Sequence, residues 1–407
     1  MDPQRQVPGS VIGGILLIAG SCIGAGMLAL PILTGMAGFF PSLIALFAAW
    51  AFMTFTALLL VEVNGWFYGQ INLLSMAEES FGKTGRSVAW TTYLFLFYAL
   101  LVAYSAASGE VFSAILDELF KISVPGWAAS IFFSALFGLI VYLGTKTVDL
   151  FNRALMAGLI IAYLGMIGLG LTKIDPKYLL HSAPGHTLMS LPVLVVSFGF
   201  QNMIPSLTAY MRGDLKRVRR TILGGGILAL SVYLLWSLLV LGVVPFDGAN
   251  GILATYHRGE EATAAMRLTL GSSRITYFAQ AFAFFAIITS FLAQGLSLTH
   301  FLADGLKKEP IRKNTRWLCI LALLPPLGMA LLMPQIFFRA LSFAGGICAM
   351  ILFGLLPVGM VWIGRYRKKE TSSYHVMGGK PALFLAFGFA VLVIGCELVR
   401  IFSKWFH

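Results

Sequence analysis

The sequence predicts an all-α integral membrane protein, and its composition, its long apolar runs and two glycine-rich interruptions support this prediction. Of its 407 residues, 58% are hydrophobic and only 11% are charged. Soluble domains carry about 25% charged residues, so the composition excludes an ordinary soluble protein. Apolar runs of about 20 residues, the length that crosses a bilayer as a helix, recur along the chain. We expect eleven transmembrane helices in a single transmembrane domain, 1–407.

The expected spans follow the apolar runs in order. They are 10–36, 42–66, 88–116, 126–144, 152–172, 186–210, 221–245, 274–300, 316–333, 337–364 and 381–403. The first two and the last two runs are the clearest, whereas Pro192 and Pro205 punctuate the sixth. The loops 173–186 and 247–274 are expected on the outer side, the second with a short surface helix around 260–267.

Counting the spans predicts that the domain is built twice. Five spans precede the sixth and five run from the sixth to the tenth, which gives repeats of about 10–172 and about 186–364. An extra helix of about 381–403 is appended. An odd number of spans per repeat inverts one copy relative to the other, and this five-plus-five inverted arrangement is that of a broad class of secondary transporters.

Two glycine-rich segments interrupt the first and sixth spans near their middles. One is 19–27, with the sequence AGSCIGAGM, and the other is 197–205, with the sequence SFGFQNMIP. Unwound backbone in a bilayer is tolerated only where it is buried in protein or lines a cavity. A matched pair of such breaks indicates a transporter's binding site. The alternative is that the glycines only allow close helix packing.

The backbone of the two breaks suits a zwitterion. A half-helix that begins at the first break offers free amides, which favour a carboxylate, and these are the amides of Ala25, Gly26 and Met27. A half-helix that ends there offers free carbonyls, which favour an ammonium group. We assign this role to the carbonyls of Ser21, Cys22, Ile23, Ser197, Phe198 and Gly199. Neither break contains a charged side chain, so an amino acid is the natural ligand.

Aromatic side chains are candidates for the walls of a pocket for the ligand's own side chain. These candidates are Tyr98, Tyr104, Phe198, Phe200 and Phe343. Span three offers one face at helical spacing, which includes Tyr98 and Ser105. In the alternative interpretation the aromatic residues face lipid or core, and the small residues of span three are a packing stripe.

The placement of the net charge of +12 predicts topology and not nucleic-acid binding. Most of the 29 Lys and Arg fall in alternate loops, as in 212–220 and 365–369. By the positive-inside rule, eleven spans then put the amino terminus inside and the carboxy terminus outside. Contact with anionic membrane lipid is an expected by-product. Neither an oligomeric state nor a cofactor is indicated.

Other functional classes find less support in the sequence. A channel needs a continuous polar lining, which the spans do not contain. No catalytic motif for an enzyme is present, because most of the six His lie in loops and no HExxH or GxSxG pattern occurs. A transport-dead amino acid sensor on the same fold remains an alternative, although such a sensor usually adds a soluble signalling tail.

The motifs of the chain resemble those of one transporter family. Residues 20–31, with the sequence GSCIGAGMLALP, look like the first span of bacterial tyrosine- and tryptophan-specific permeases, which belong to the hydroxy and aromatic amino acid permease family. Three further segments agree with this resemblance, namely Ser197–Phe200, Ile204–Leu207 and Thr289–Ser290. It implies the fold of sodium-coupled leucine transporters and ion-coupled uptake of tyrosine or tryptophan by alternating access across a bacterial cytoplasmic membrane. The alternative substrate is another neutral amino acid, carried with sodium.

The resemblance leaves the coupling ion open between Na⁺ and H⁺. In sodium-coupled relatives one ion lies between carbonyls of span one and a Thr/Ser pair on span eight. The matching positions here are Gly20, Ile23, Thr289 and Ser290. Oxygen ligands of this kind suit a hard cation.

A proton site is the second possibility for coupling. Permeases of this family usually have a His directly after the aromatic residue of span six, and this chain has Gln201. Glutamine does not titrate near neutral pH, whereas His does. Gln201 therefore remains a candidate for substrate binding alone. Glu110 and Glu62 are the intramembrane candidates for a proton, and Glu62 is equally well interpreted as a structural hydrogen-bonding partner.

Overall fold

A computed structural model describes residues 9–67, 71–271, 274–306, 312–370 and 374–403. Throughout these ranges the secondary structure is helical, with turns and short connections. Nine helices there are long and apolar enough to cross a membrane, and a bent pair would make a tenth. Arg316–Leu332 is a shorter apolar helix. The chain is therefore a multi-pass membrane protein.

Sixteen α-helices make up this bundle. They are α1 Val11–Cys22, α2 Gly26–Gly35, α3 Phe39–Asn64, α4 Leu73–Phe120, α5 Gly126–Leu143, α6 Thr145–Gly170, α7 Thr187–Ser197, α8 Ile204–Tyr210, α9 Leu215–Val243, α10 Ile252–Arg258, α11 Ala262–Leu270, α12 Arg274–Gly305, α13 Arg312–Leu332, α14 Phe337–Phe343, α15 Leu356–Ile363 and α16 Gly379–Ser403. The short helices α10 and α11 lie in the loop where a surface helix was expected.

Both expected helix breaks are present. α1 and α2 meet at an angle of 61° across residues 23–25. α7 ends at Ser197, and a single 3₁₀ turn, Gln201–Met203, leads into α8. Pro205 lies in the first turn of α8, where its missing N–H removes no helical hydrogen bond. The interruptions therefore fall at the glycine-rich segments, where the sequence placed them.

The third span differs from its expected limits of 88–116. α4 begins at Leu73, where the Asn72 side chain caps it by accepting the Ser75 amide at 2.9 Å. Gly82 has φ 70° and ψ −161°, a conformation that favours glycine, and it bends the helix. The first two turns thus approach the span at an angle. The length of this helix was underestimated from the sequence, because residues 73–87 contain charged side chains and do not form an apolar run.

α14 and α15 form one long helix with the π-helical stretch Ala344–Leu355 between them. This helix packs on α7 so closely that a Cβ at position 345 would overlap the carbonyl oxygen of Pro192. Gly345 is therefore the residue that fits there, and the two backbones are in direct contact.

Glu62 forms a buried ion-pair cluster at the end of α3. Its carboxylate is fully buried and accepts two hydrogen bonds from the Arg365 guanidinium, each at 2.5 Å. The Val376 amide donates to Glu62 at 2.8 Å, and Nδ1 of His375 lies 3.2 Å away. This cluster joins α3, the end of the long α14–α15 helix and the segment before α16. It corresponds to the structural interpretation of Glu62.

The Glu62 cluster predicts a large effect on stability. Glu62→Gln would leave the Arg365 charge without an anionic partner, and removing one member of a buried pair costs about 3–5 kcal/mol. We expect a clearly lower unfolding temperature of the purified protein in detergent. Glu79→Gln is the matched control, because its side chain is 63% exposed where it pairs with Lys368, and it should cost at most about 1 kcal/mol. Equal effects of the two variants would contradict this account.

Candidate functional site

A cavity of about 510 Å³ lies between the two breaks. Its walls are residues 20–24, which include the end of α1 and part of the first break, together with the end of α7, one face of α4 and the middle of α12. This volume is within the range of about 300–1,000 Å³ that is typical of small-molecule sites. The structure therefore brings the two interrupted spans together around a space of the right size for an amino acid.

The cavity is open beside α1 and closed beside α2. Leu16 and Leu17 of α1 line it and are 60% and 49% exposed. Met27 and Leu28, in the first turn of α2, are fully buried. The wall that α1 forms is therefore the exposed side of the cavity.

The three amides assigned to a carboxylate differ in their partners. The Ala25 amide donates to Oγ of Ser290 at 2.8 Å, and the Met27 amide donates to the Gly24 carbonyl at 3.1 Å. The Gly26 amide has no acceptor within the described ranges, and Gly26 lines the cavity. Of the three, the Gly26 amide is the one free to meet a ligand's carboxylate.

The carbonyls of the first break are largely unbonded. Those of Gly20, Ser21 and Ile23 accept no hydrogen bond in the part of the chain that the structure describes, and these residues line the cavity. The Cys22 carbonyl has a partner. An ammonium group or a hard cation would find three free backbone oxygens here.

Tyr233 of α9 joins the two breaks. Its hydroxyl oxygen lies 2.6 Å from the Cys22 carbonyl oxygen and 2.7 Å from the Ser197 carbonyl oxygen, and the side chain is fully buried. A phenol has a single proton to donate, so the two carbonyls share it. These carbonyls were both assigned to an ammonium group.

Trp236, one turn further along α9, contacts the same region. Its indole N–H donates to the Met27 carbonyl at 2.8 Å. Neither Tyr233 nor Trp236 was predicted from the sequence. Their spacing of three residues in an apolar helix was the available signal, because a buried phenol or indole needs a hydrogen-bond partner.

An aromatic wall covers one side of the cavity. Tyr93, Phe97 and Tyr104 of α4 line it together with Phe353. The rings of Tyr93 and Phe97 stack with centroids 5.8 Å apart, and the Phe353 ring meets Tyr93 edge-on at 6.2 Å. Only Tyr104 was identified from the sequence. The spacing 93, 97, 100, 104 marks a helical face that the sequence would also have allowed.

The predicted substrate residues divide into two groups. Those that line the cavity are Ser21, Cys22, Ile23, Gly26, Tyr104, Ser197 and Gly199. Those that lie elsewhere are Ala25, Met27, Tyr98, Ser105, Phe198, Phe200, Gln201 and Phe343. Phe198 packs edge-on against Tyr233, with ring centroids 4.9 Å apart, so it supports the site from behind.

Tyr98 and Phe343 line a different cavity, between α4 and α13. The Tyr98 hydroxyl donates to the Leu321 carbonyl at 2.8 Å. Pro325 has no N–H to offer this carbonyl four residues earlier, so the phenol supplies the missing donor. Tyr98 therefore has a structural role. It lies about 100° around α4 from Phe97 of the aromatic wall.

Gln201 turns away from the cavity toward α3. Its amide Nε2 donates to the Met53 carbonyl at 3.0 Å, and the side chain is fully buried. Ser105 is also buried, and its carbonyl accepts from the Ser108 and Ser130 hydroxyls at 2.8 and 3.1 Å. Both residues therefore connect helices and do not reach the ligand space.

The four predicted sodium ligands, Gly20, Ile23, Thr289 and Ser290, all line the cavity. The Thr289 hydroxyl donates to the Phe285 carbonyl at 2.8 Å, which leaves its oxygen lone pairs available. The proton candidates lie apart from this cavity. Glu62 is in its ion-pair cluster, and Glu110 lines a separate cavity near the far end of α4.

Two side-chain amides in the cavity lack partners. Oδ1 of Asn152 and Oε1 of Gln294 are buried, and neither has a hydrogen-bond donor among the described residues. Both side chains line the cavity. A buried acceptor without a donor is costly, so these oxygens favour a ligand that brings an N–H or O–H group.

The Tyr233 bridge predicts a specific loss of stability. Tyr233→Phe would leave two buried carbonyls short of a donor, at a cost of about 1–3 kcal/mol. Tyr163→Phe is the matched control, because the Tyr163 hydroxyl donates to the carbonyl of Val232 within α9 at 2.9 Å. That carbonyl keeps its helical donor. Thermal unfolding in detergent should separate the two variants, and a larger effect of Tyr163→Phe would refute the bridge.

Comparison with known proteins identifies the family of the chain. The sequence profile of the tryptophan/tyrosine permease family matches residues 8–397. The chain is 35% identical to "Tyrosine-specific transport system 1" of Haemophilus influenzae, over 94% of this chain and 95% of that protein. It is 33% identical to "Tyrosine-specific transport system 2" of the same organism, over 97% and 96%.

More distant relatives have the same kind of name. The chain is 29% identical to the "Tryptophan-specific transport protein" of Shigella flexneri, over 98% of this chain and 97% of that protein. The family and these relatives are permeases and transport proteins, not enzymes. The resemblance found in the sequence motifs is thereby confirmed, and the chain belongs to the tryptophan/tyrosine permease family.

Proposed function

We propose that this protein imports an aromatic amino acid, tyrosine or tryptophan, by ion-coupled symport. The observation that carries the proposal is the cavity between the two breaks, where a free Gly26 amide, free carbonyls and an aromatic wall line one space. Each pole of a zwitterion has a matching partner there. The names of the relatives, tyrosine-specific and tryptophan-specific, agree with the aromatic wall.

The substrate's side chain would lie against Tyr93, Phe97 and Phe353. Aromatic rings pair edge-on or in offset stacks, and such pairs are worth about 0.5–1.5 kcal/mol beyond the burial of area. The unpartnered oxygens of Asn152 and Gln294 would accept the phenol O–H of tyrosine or the indole N–H of tryptophan. Polar acceptors beside an aromatic wall thus fit amphipathic rings better than phenylalanine.

The proposed transport cycle is alternating access on a scaffold of eleven spans with five-plus-five inverted repeats. With the amino terminus inside and the carboxy terminus outside, α1 lies on the cytoplasmic side. The opening beside Leu16 and Leu17 then corresponds to an inward-open state of a protein of the bacterial cytoplasmic membrane. The basic residues of the α8–α9 connection, such as Arg212 and Arg217, agree with that orientation.

We propose sodium as the coupling ion, bound by Gly20, Ile23, Thr289 and Ser290. The two carbonyls have no other partner among the described residues, and the two hydroxyls lie in the same cavity. Hard cations prefer such oxygen ligands. The arrangement of the proton candidates supports the choice, because Glu62 is held by Arg365 and Glu110 lines a separate cavity.

A second candidate substrate is a neutral amino acid with a side-chain amide. "Glutamine transporter 2" of Aliivibrio fischeri is 26% identical to this chain, over 94% of this chain and 98% of that protein. The unpartnered oxygens of Asn152 and Gln294 would accept a side-chain amide N–H as readily as an indole N–H. A sensor that binds the same ligand without transport is distinguished by the uptake experiment below.

Uptake into proteoliposomes tests both the substrate and the ion. We expect labelled tyrosine or tryptophan to accumulate under an imposed sodium gradient and not under a proton gradient alone. Thr289→Ala should weaken the sodium dependence, because it removes one of the four oxygen ligands. Ser297→Ala, on the same helix face and exposed in the cavity, is the matched control.

The other outcomes of this experiment are equally informative. Accumulation driven by protons alone would refute the sodium site. Accumulation of glutamine without the aromatic substrates would establish the second candidate. Binding without any accumulation would identify a sensor.

Position 26 provides a test of the carboxylate site. A Cβ there would lie 3.3 Å from Oγ of Ser197, so the branched side chain of Gly26→Val would crowd the free amide. We expect binding of tyrosine to fall at least a hundredfold in a protein that still folds and inserts. Gly388→Val is the matched control, because a Cβ at position 388 meets nothing within 4 Å. Normal uptake by Gly26→Val would remove this amide from the site.

A further inference from the structure

A second polar cavity, of about 330 Å³, lies at the end of α4 that the proposed topology places outside. It is bounded by α4, the start of α5, the surface helix α11 and α12, and it shares no lining residue with the central cavity. At this point α4 and α5 approach closely, because a Cβ at Gly109 would lie 2.6 Å from the Gly126 carbonyl oxygen. The cavity therefore has a fixed floor of packed backbone.

Two of its four carboxylates are already used by the fold. Glu261 caps α11, since it accepts the amides of Thr263 and Ala264 at 2.5 and 3.0 Å. Burial raises the pKa of the Glu261 carboxyl above its ordinary value, and these hydrogen bonds oppose the rise. Glu260 pairs with Arg258 at 2.7 Å. Neither carboxylate needs a ligand.

The remaining charged groups form no ion pair within 4.0 Å among the described residues. Glu110 and Asp117 are seven residues apart, so they project from one face of α4, and neither takes part in an ion pair within 4.0 Å. Arg267, in the last turn of α11, also lines the cavity without such a pair. Two carboxyl groups and one guanidinium group thus face the same space.

A buried amide completes the set. Gln280 of α12 lines this cavity with only 9% of its surface exposed, and its Nε2 has no hydrogen-bond acceptor within the described ranges. A buried N–H₂ group without an acceptor is destabilising. The position of this amide favours a ligand that brings an oxygen acceptor into the cavity.

We propose that this outer cavity binds the zwitterionic head of an amino acid. The ammonium group lies between Glu110 and Asp117, and the carboxylate accepts hydrogen bonds from Arg267 and from Nε2 of Gln280. A simple cation would leave Nε2 of Gln280 without a hydrogen-bond acceptor and would be repelled by Arg267. A simple anion would offer no hydrogen-bond donor to the oxygens of Glu110 and Asp117. A zwitterion answers all four groups.

The site recognises the head and not the side chain. Its other walls are short, with Ala114, Ser113 and Gly126 among them, and no aromatic ring lines it. The exposed Glu110 and Asp117 leave the mouth open to solvent. The outer cavity therefore binds neutral amino acids as a class, while the central cavity selects the aromatic ones. This inference rests on the proposed transport of amino acids.

Binding stoichiometry tests the inference on the purified full-length chain. Equilibrium dialysis with labelled L-tyrosine should give two sites per chain. Gly26→Val should retain one of them, and excess L-alanine should displace the tyrosine that remains, because only the head is recognised there. Arg267→Gln should weaken the outer site at least tenfold in the Gly26→Val background through the loss of a charge-assisted hydrogen bond. Arg274→Gln, an exposed variant on the same side, is the control.

The outcomes separate the two proposals. A single site per chain that is lost in Gly26→Val and unchanged in Arg267→Gln would overturn the outer site and leave the proposed transporter intact. A remaining site that alanine does not displace would also overturn it. Absence of tyrosine binding in the unmodified protein would overturn the proposed substrate. Gln280→Leu, which removes the donor and keeps the side chain's bulk, should weaken the same site as Arg267→Gln.

Discussion

The hydroxyl of Tyr233 lies between the two interrupted helices and donates its single proton to carbonyls on both. Each interruption exposes backbone groups that a bilayer cannot satisfy, so the breaks persist only because the protein supplies partners. Tyr233, Trp236 and Ser290 supply them from two neighbouring helices, α9 and α12. What these side chains leave unsatisfied, mainly the Gly26 amide and nearby carbonyls, defines the ligand space. The proposed site thus consists of the backbone groups at the breaks that have no hydrogen-bond partner within the protein.

The positions of both breaks could be predicted from the sequence, because glycine weakens a helix wherever it interrupts an apolar run. The rotation of each helix about its own axis could not be predicted from the sequence. In a membrane helix the faces toward lipid and toward protein are both apolar, so hydrophobic periodicity does not tell which stripe faces inward. This is why Tyr98 was preferred over Tyr93 and Phe97, which lie one step around α4. The role of Tyr98 depends on Pro325, which is more than 200 residues away in the chain.

The hydrogen-bond partners of the polar residues in the spans also determine their roles. Glu62 and Gln201 are conspicuous in apolar sequence, and the Glu62 carboxylate and Nε2 of Gln201 are hydrogen-bonded to other parts of the bundle. Oε1 of Gln201 lacks a donor among the described residues, but this side chain does not line the cavity. Asn152 and Gln294 were less conspicuous, yet their buried oxygens lack donors within the described ranges and face the cavity. A sequence reports that a polar group is present in a span. Whether that group is consumed by the fold or is left for a ligand depends on contacts between distant segments.

The contact between Gly345 and Pro192 has a mechanical consequence. Backbones in direct contact cannot slide past each other, since any side chain or carbonyl moved into the gap would overlap the other helix. This contact therefore holds α7 and the long α14–α15 helix together as one rigid unit. In the proposed transport cycle, a change of access would therefore move α1 and α8, the halves of the broken helices that this contact does not hold. The halves α2 and α7 would stay fixed in that cycle, while α1 and α8 turn about the breaks.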